Sequence, residues 1–399
     1  AKWCGKTSTG EQQAKSVIYM SDSARRDQYR IFVDSTPKVI LDGETPRLID
    51  EWQQTPKLWD MVRFEVDHRH GMGQFILTGS AVPAKLEELH HTGTGRIARL
   101  LMRPMSLWES GDSNGTISLK ELFTSPKSIA AENNNDLQRI SYLICRGGWP
   151  QAALLDDDEE IALDQAIDYY DAVVNADIQR VDGVERNPER VKRLMKSYAR
   201  SQGTQTSLAE IRNDMLANDQ LALDEKTVSS YLDALRKIFV IEDMPAWNPN
   251  LRSKTSIRTT DTRYFVDPSI ATAALSIGPN DLMNDLNTLG LFFETLCVRD
   301  LRVFAQALDG NVFHYRDKTG LECDTVVHLR NGDYGLIEIK IGGDKLIEEG
   351  AANLQKLSQK IDTTKMKSPS FLMILTAVGS FAYRREDGVY VVPIGCLKD

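Results

Sequence analysis

The feature that most restricts the fold of this 399-residue chain is the tripeptide Gly5-Lys6-Thr7 near its start. It matches the second half of G-x-x-x-x-G-K-[ST], a loop that leads from a strand into a helix and cradles phosphate. Gly5 would let backbone N–H groups close on phosphate oxygens, Lys6 would reach the β- and γ-phosphates, and the Thr7 hydroxyl would ligate Mg²⁺. Three of the four variable positions before Gly5 would complete the cradle; they are Lys2, Trp3 and Cys4.

The sequence begins inside this motif, because its first glycine would lie one position before Ala1. We therefore expect the chain to be a portion of a longer protein in which a strand precedes the loop. The alternative is a chance occurrence of the tripeptide in an ordinary loop. Later segments of the chain are needed to decide between the two.

An acidic pair follows at the end of a short apolar run, residues 47–51. In phosphate-hydrolysing α/β domains such a strand carries an aspartate that orders Mg²⁺ through water and a glutamate that polarises the attacking water. Asp50 and Glu51 are the candidates for these two roles. An exposed acidic strand end is the alternative.

Two further segments come in the expected order. Residues 74–80 indicate a buried parallel strand, with Thr78 and Ser80 at the carboxyl end, where open α/β sheets bind ligands. Arg96 precedes a predicted strand over residues 97–102. It would act as an arginine finger, in which its guanidinium contacts the γ-phosphate bound by a neighbouring subunit. A solvated arginine after a glycine turn is the alternative for Arg96.

These segments carry a resemblance. The words KWCGKT, RLIDEWQ, FILTGSA, GTGRIARLLMRPMSLWESG and GGWP resemble a large family of prokaryotic AAA-like P-loop ATPases. Members of that family carry a C-terminal domain of unknown function, in which a winged helix precedes a nuclease-like fold. The resemblance implies ATP binding with Mg²⁺ in an α/β core, and a finger acting between subunits would require a homo-oligomer.

The middle of the chain shows three helical patterns, which begin near Pro188, at the capping box from Ser207 and at the cap Asp224. Two strands, at 239–241 and 263–266, complete the layout of a winged helix-turn-helix. The basic stretch 252–263 could follow a DNA backbone. The other interpretation is a module that only packs between domains.

The last quarter contains an Asp on one strand and E-x-K on the next. Asp324 lies in a strand over 321–327, Glu338 and Lys340 lie in a strand over 335–341, and Glu294 lies on the preceding helix. The pattern resembles the PD-(D/E)XK nuclease fold. That resemblance implies that Asp324 and Glu338 hold metal, that Lys340 assists catalysis, and that Glu294 completes the site.

The sequence allows two registers for the hairpin between these two strands. A three-residue turn, 330–332, would place Asp324 opposite Glu338, whereas a two-residue turn would place it opposite Ile339. An ordinary half-buried hairpin, or a nuclease fold without activity, remains an alternative to a working site.

Composition narrows the function classes. The formal charge of −9 argues against coating of nucleic acid through bulk charge, and the longest apolar run, 371–383, is too short to span a bilayer. Five scattered cysteines form no CxxC pair, which favours a reducing cytoplasm over disulfides or a zinc site.

We therefore expect an α/β protein of three modules: a P-loop NTPase core, a winged helix-turn-helix and a restriction-endonuclease-like α/β domain. The expected function is a Mg²⁺-dependent ATPase whose nucleotide state controls the C-terminal modules. A metal-dependent DNA nuclease regulated by ATP and a nucleotide-gated protein scaffold are the alternatives. The expected boundaries are 1–125 for the core, 126–187 for a helical connector, 188–270 for the winged helix and 271–399 for the nuclease-like domain.

Overall fold

A computed structural model describes residues 1–81, 92–124, 129–155, 158–217, 224–249 and 260–399. Its first part is a small α/β layer with three parallel strands in the order β1-β2-β3. The elements are α1 (Lys6–Gln13), β1 (Ser16–Tyr19), α2 (Arg26–Ser35), α3 (Lys38–Leu41), β2 (Arg47–Asp50), α4 (Leu58–Arg69) and β3 (Phe75–Thr78). A separate apolar core lies under this sheet, formed by residues such as Ile18, Val33, Ile49 and Val62.

The strand β2 starts with an arginine although it is buried along its whole length. Arg47 is accommodated because its Nε donates to Ile40 O at 2.7 Å and its Nη1 donates to Ser16 Oγ at 2.8 Å. A buried guanidinium needs such acceptors. The segment 97–102, predicted as a strand, has no regular structure, so that prediction is wrong.

The middle of the chain is helical. Its elements are β4 (Ile117–Ser118), α5 (Leu119–Leu122), β5 (Ala131–Glu132), α6 (Leu137–Arg146), α7 (Pro150–Leu154), α8 (Glu159–Ala172), a π-turn (Val173–Asp177), α9 (Ile178–Arg180), α10 (Pro188–Arg200), α11 (Leu208–Leu216), α12 (Glu225–Lys237), α13 (Pro268–Leu275) and α14 (Pro279–Asn284). The side chains of Ser207 and Asp224 cap α11 and α12 as the sequence predicts. The two strands predicted after α12 are reduced to isolated antiparallel bridges, Ile241 to Phe265 and Met244 to Thr262.

The last part is a seven-stranded sheet between two helices. Its elements are α15 (Leu286–Ala307), β6 (Gly310–Arg316), β7 (Glu322–Leu329), β8 (Tyr334–Lys340), α16 (Asp344–Lys360), β9 (Phe371–Thr376), β10 (Phe381–Arg384), β11 (Tyr390–Pro393) and β12 (Leu397–Lys398). The strand order is β5-β10-β11-β9-β8-β7-β6. Alternate β7 residues enter different cores: Val327 belongs to the core that includes Phe292 of α15, and Val326 belongs to the core that includes Leu354 of α16.

Residues on both sides of position 125 pair with the C-terminal strands. β4 runs parallel to β12, and β5 runs antiparallel to β10. The segment that leaves the N-terminal layer therefore adds β5 to the edge of the seven-stranded sheet and forms a separate two-stranded sheet with β12. Across the part of the chain that the structure describes, no helix combines the length and apolar character needed to cross a bilayer.

A buried ion network joins the parts. Arg299 of α15 donates to Asp267 Oδ2 at 2.9 Å and to Asp300 Oδ1 at 2.8 Å. Asp267 Oδ2 also accepts from Gly148 N, and Asp300 Oδ2 accepts from Leu107 N, both at 2.9 Å. The segments GGWP (147–150) and RPMSLWE (103–109) are thus both linked to the Arg299 guanidinium through its two carboxylate partners.

The glycine pair before Trp149 is required by this junction. Gly147 has φ +74°, a backbone conformation that side chains rarely adopt. A Cβ at Gly148 would lie 2.1 Å from Met105 O, while Met105 N donates to Gly148 O at 2.7 Å. These close backbone contacts explain the motif without a catalytic role.

Replacement of Arg299 tests how much this junction contributes. Arg299→Met should lower the free energy of unfolding by about 3–5 kcal/mol, because it leaves Asp267 and Asp300 buried without their cation. Glu348→Ala, at an exposed ion pair with Arg385, is the matched control and should cost less than about 1 kcal/mol. Urea unfolding followed by circular dichroism measures both; equal midpoints would contradict the assignment.

A second junction, between residue 103 and the helices, is set by charge. Arg103 donates from Nε and Nη2 to the Glu242 carboxylate at 2.9 and 2.7 Å, and Arg302 lies 3.7 Å from Glu242 Oε1. Burial alone would raise the pKa of Glu242, but Arg302 and Arg103 outweigh burial and hold it at about 2. Stability from this group is therefore present above its unfolded pKa and lost as the pH falls toward 2.

The pH dependence of Glu242→Gln tests this junction. At neutral pH the substitution should lower the free energy of unfolding by about 3 kcal/mol, which corresponds to the lowered pKa. The difference from wild type should shrink as the pH falls from about 4.5 toward 2, since Glu242 then protonates. Urea titrations of both proteins across that range measure the difference; a difference independent of pH would contradict the ion pairing.

Candidate active site

The phosphate loop ends in a glycine that the helix requires. Gly5 has φ +87° and precedes α1, whose first turn starts with Lys6 and Thr7. Thr9 N donates to Gly5 O at 2.9 Å, so the first amides of α1 point toward the loop without helical acceptors. A helix start of this kind attracts anions.

Three oxygens converge at the carboxyl ends of β2 and β3. Thr7 Oγ1 donates to Asp50 Oδ1 at 2.8 Å, and Thr78 Oγ1 donates to the same oxygen at 2.6 Å. The parallel register places Asp50 beside Thr78, which explains why residues far apart in sequence meet. The structure thus brings together the predicted residues Thr7, Asp50 and Thr78.

Glu51 is held next to this group. It has φ +56° and begins a 3-10 turn over Trp52–Gln54. Its Oε2 accepts from Ser80 Oγ at 2.9 Å and from Gln53 Nε2, which also lies 3.3 Å from Ser80 Oγ. The sequence predicted Glu51 and Ser80 but not Gln53; its place two residues after the acidic pair was the available signal.

The ammonium groups of both loop lysines donate hydrogen bonds to oxygen atoms of the protein. Lys6 Nζ donates to Ala1 O, and Lys2 Nζ donates to Asp177 of the π-turn. Trp3 is half exposed and lies edge-to-face against Tyr169, with ring centroids 5.8 Å apart. The Cys4 thiol is buried and donates to Ala1 O at 3.1 Å.

The side chain of Arg96 contacts α4. Its Nε donates to Asp67 Oδ1 at 2.6 Å, and this bond lowers the pKa of Asp67. Arg96 is about half exposed, which leaves the guanidinium at the surface. The structure does not bring Arg96 together with Asp50 or Glu51 in one chain.

The C-terminal cluster has the first of the two predicted registers. Thr325 lies opposite Ile337 and Val326 opposite Leu336, while Leu329 N donates to Asp333 O at 2.8 Å. The turn therefore spans residues 330–332, and Asp324 lies at the level of Glu338.

The Lys340 ammonium bridges the two acids. Its Nζ lies 3.0 Å from Asp324 Oδ2 and 2.6 Å from Glu338 Oε2. Glu338 Oε1 accepts from Asn353 Nδ2 of α16 at 2.7 Å, a contact that the sequence did not predict. Burial, and then the charge of Asp324, raises the pKa of Glu338 to about 8.

Glu294 approaches this cluster from α15. Its Oε1 accepts from the hydroxyl of Tyr264, which lies in the bridge segment before α13. Burial, and then the charge of Asp324, raises the pKa of Glu294 to about 8. Within the described ranges, no group of three or more His, Cys, Asp or Glu side chains is placed so as to hold a metal ion.

The predicted DNA-contacting residues lie mostly outside the described residues, since Arg252, Lys254 and Arg258 fall in the range 250–259. Arg263 is described and is buried; it donates to Asp243 Oδ2 at 3.0 Å and to Thr206 O at 3.1 Å. It is therefore a structural residue and is not available to a phosphate backbone. Of α12, the side chains of Lys226 and Ser230 are exposed.

Comparison with known proteins divides the chain into three matched segments. Residues 1–110 match the family model of an AAA domain, residues 137–281 match a domain of unknown function (DUF8612), and residues 289–397 match another (DUF4143). The first match and the parallel sheet with its phosphate loop support an AAA-like α/β P-loop core for the N-terminal segment. The second and third matches carry no activity in their descriptions.

The similar proteins include uncharacterized proteins of Mycobacterium bovis and Mycobacterium tuberculosis. Each is 23% identical to this chain over 313 residues, which is 77% of this chain and 62% of the relative. The chain thus spans about three fifths of the length of these curated relatives. A Walker-type ATPase of Pyrococcus abyssi is a similar solved structure, with 16% identity and a TM-score of 0.33 over 57% of this chain and 62% of that one.

Proposed function

We propose that this protein binds ATP with Mg²⁺ and hydrolyses the γ-phosphate at the site formed by the phosphate loop, β2 and β3. The observation that carries the proposal is the convergence of the Thr7 and Thr78 hydroxyls on Asp50 Oδ1, at 2.8 and 2.6 Å. These are the residue types that the chemistry requires, and they lie at the sheet edge where α/β domains bind ligands.

The donor set fits a magnesium ion. Thr7 and Asp50 offer a hydroxyl and a carboxylate oxygen beside the first turn of α1, and Mg²⁺ prefers oxygen ligands together with substrate phosphates. When bound, the ion would neutralise charge on the phosphates. Lys6 would leave Ala1 O to bind the β- and γ-phosphates, and the free amides of α1 would add neutral donors.

Glu51 supplies the base in this proposal. Hydrogen bonds from Ser80 and Gln53 fix its carboxylate, so the free oxygen has a defined direction from which to accept a proton from water. A fixed base lowers the entropic cost of the reacting geometry. Arg96, held by Asp67 within its own chain, would act only if a neighbouring subunit presented it.

Two substitutions separate binding from hydrolysis. Lys6→Ala should weaken ATP binding more than about tenfold, because the loop loses its phosphate-binding cation. Glu51→Gln should keep ATP affinity but lower kcat by about 10²–10⁴, because the base is lost. Isothermal titration with ATP and a phosphate-release assay measure the two effects, and the exposed Lys15→Ala is the control. Unchanged hydrolysis in both variants would remove the proposal.

The C-terminal cluster supports a second candidate function, a metal-dependent nuclease regulated by ATP. The supporting observations are the register that places Asp324 at the level of Glu338 and the position of Lys340 Nζ between their carboxylates. The element order α15-β6-β7-β8-α16-β9, with β8 and β9 parallel, also agrees with a nuclease-like fold. A metal ion would have to displace the Lys340 ammonium from these oxygens, which weighs against the site.

DNA cleavage tests this candidate directly. Supercoiled plasmid incubated with the protein and Mg²⁺ or Mn²⁺ should be nicked, and Asp324→Ala should abolish nicking because a carboxylate ligand is lost. Lys340→Ala should also abolish nicking. Lys345→Ala, which replaces an exposed lysine of α16, is its control and should cut DNA like the wild type. Absence of nicking in the wild type, with intact ATP hydrolysis, would instead favour a nucleotide-gated scaffold.

A further inference from the structure

The phosphate loop is fastened to the helical part of the chain by two side chains. Lys2 Nζ donates to Asp177 Oδ1 across a sequence separation of 175 residues. Next to it, Trp3 lies edge-to-face against Tyr169 of α8. A Cβ at Gly5 would lie 3.4 Å from Pro150 Cγ, so the loop and the start of α7 are also in van der Waals range.

Asp177 occupies an unusual position. It ends the π-turn Val173–Asp177 between α8 and α9. Single π-turns within helices are rare and frequently mark functional sites. Asp177 is only 7% exposed, whereas the Lys2 side chain is one-third exposed, so the ammonium is the partner that a ligand can reach.

We propose that Asp177 is a positioning residue of the phosphate loop: it holds the Lys2 ammonium and yields it to the polyphosphate of ATP when the nucleotide binds. This inference rests on the proposed ATP site, and it assigns to Asp177 the regulation of ATP affinity at that site. The lysine would exchange one anion for another without leaving the loop.

Electrostatics favours such an exchange. The ammonium groups of Lys2 and Lys6 come from the same short loop, and both have protein acceptors, Asp177 and Ala1 O. A triphosphate carries several negative charges on oxygens, and it offers the Lys2 ammonium charge-assisted bonds of the same kind as the Asp177 carboxylate. Asp177 therefore competes with the ligand for Lys2 and lowers the affinity for ATP.

The exchange would loosen the loop from the helices. Tyr169 stacks on Trp149, with centroids 4.3 Å apart, and Trp149 Nε1 donates to Ser269 Oγ at 2.9 Å. Ser269 Oγ donates to Asp267 Oδ1, and Asp267 binds Arg299 of α15. Contacting residues thus connect the loop to α15, the helix that carries Glu294.

A double-mutant cycle tests the proposal. In full-length protein, Asp177→Asn should tighten ATP binding about fivefold, because the competing carboxylate is removed. Lys2→Met should weaken binding, and Asp177→Asn in the Lys2→Met background should change the Kd by less than about twofold. Isothermal titration with a non-hydrolysable ATP analogue and Mg²⁺ measures all four proteins.

Each outcome is decisive. If Asp177→Asn tightens binding of the ATP analogue only in proteins that retain Lys2, the exchange is supported. Equal tightening in both backgrounds would mean that Asp177 acts on the phosphates directly, and unchanged or weaker binding in Asp177→Asn would mean that the ion pair is only structural; both results overturn the proposal. Asp182→Asn, which removes a nearby ion pair with Arg186 that does not touch the loop, is the matched control and should leave the Kd unchanged.

A second readout follows the loop itself. Trp3 is 50% exposed and touches Tyr169, so release of Lys2 should alter its emission. Apo Asp177→Asn should show the emission that ATP produces in the wild type, and Trp3→Phe should remove this difference. No such similarity would contradict the exchange. If Lys6→Ala binds the analogue as wild type does, the proposed site itself fails, independently of Asp177.

Discussion

The buried Arg299 guanidinium is the contact on which the described arrangement depends. It lies on α15 and binds Asp267 and Asp300, whose remaining oxygens accept from Gly148 N and Leu107 N. The segments around Leu107 and Gly148, the start of α13 and the helix α15 therefore share one polar junction. Such a network is costly to break, because removal of one charge leaves the others buried without compensation.

The described chain carries two candidate sites in different parts of the fold. The nucleotide site is built at the carboxyl ends of parallel strands, where Asp50 meets Thr7 and Thr78. The C-terminal cluster lies where α15, β7 and β8 meet, with Lys340 between Asp324 and Glu338. The helix α15 carries Arg299 and Glu294 less than two turns apart, so one rigid element touches both the junction and the cluster.

Much of the nucleotide site could be predicted from sequence. The predicted residues at the ends of β2 and β3 meet because parallel strands of similar length end at one edge. The hairpin register followed from turn length and was one of the two expected arrangements. The segment 97–102 was mispredicted as a strand because the apolar residues there have no sheet partner among the described residues. Arg96 pairs with Asp67, a half-buried carboxylate of α4, and this contact depends on the packing of the chain.

The sequence by itself determined which chemistries the chain can support, since phosphate binding, proton transfer and charge pairing depend on residue type and short spacing. It identified Lys6, Thr7 and the acidic pair at 50–51 in this way. Only the tertiary structure decided what those residues hold. Lys2 meets Asp177, and Glu294 meets Tyr264, across 175 and 30 residues of chain. Contacts over such separations follow from how the helices pack, and no local pattern encodes them.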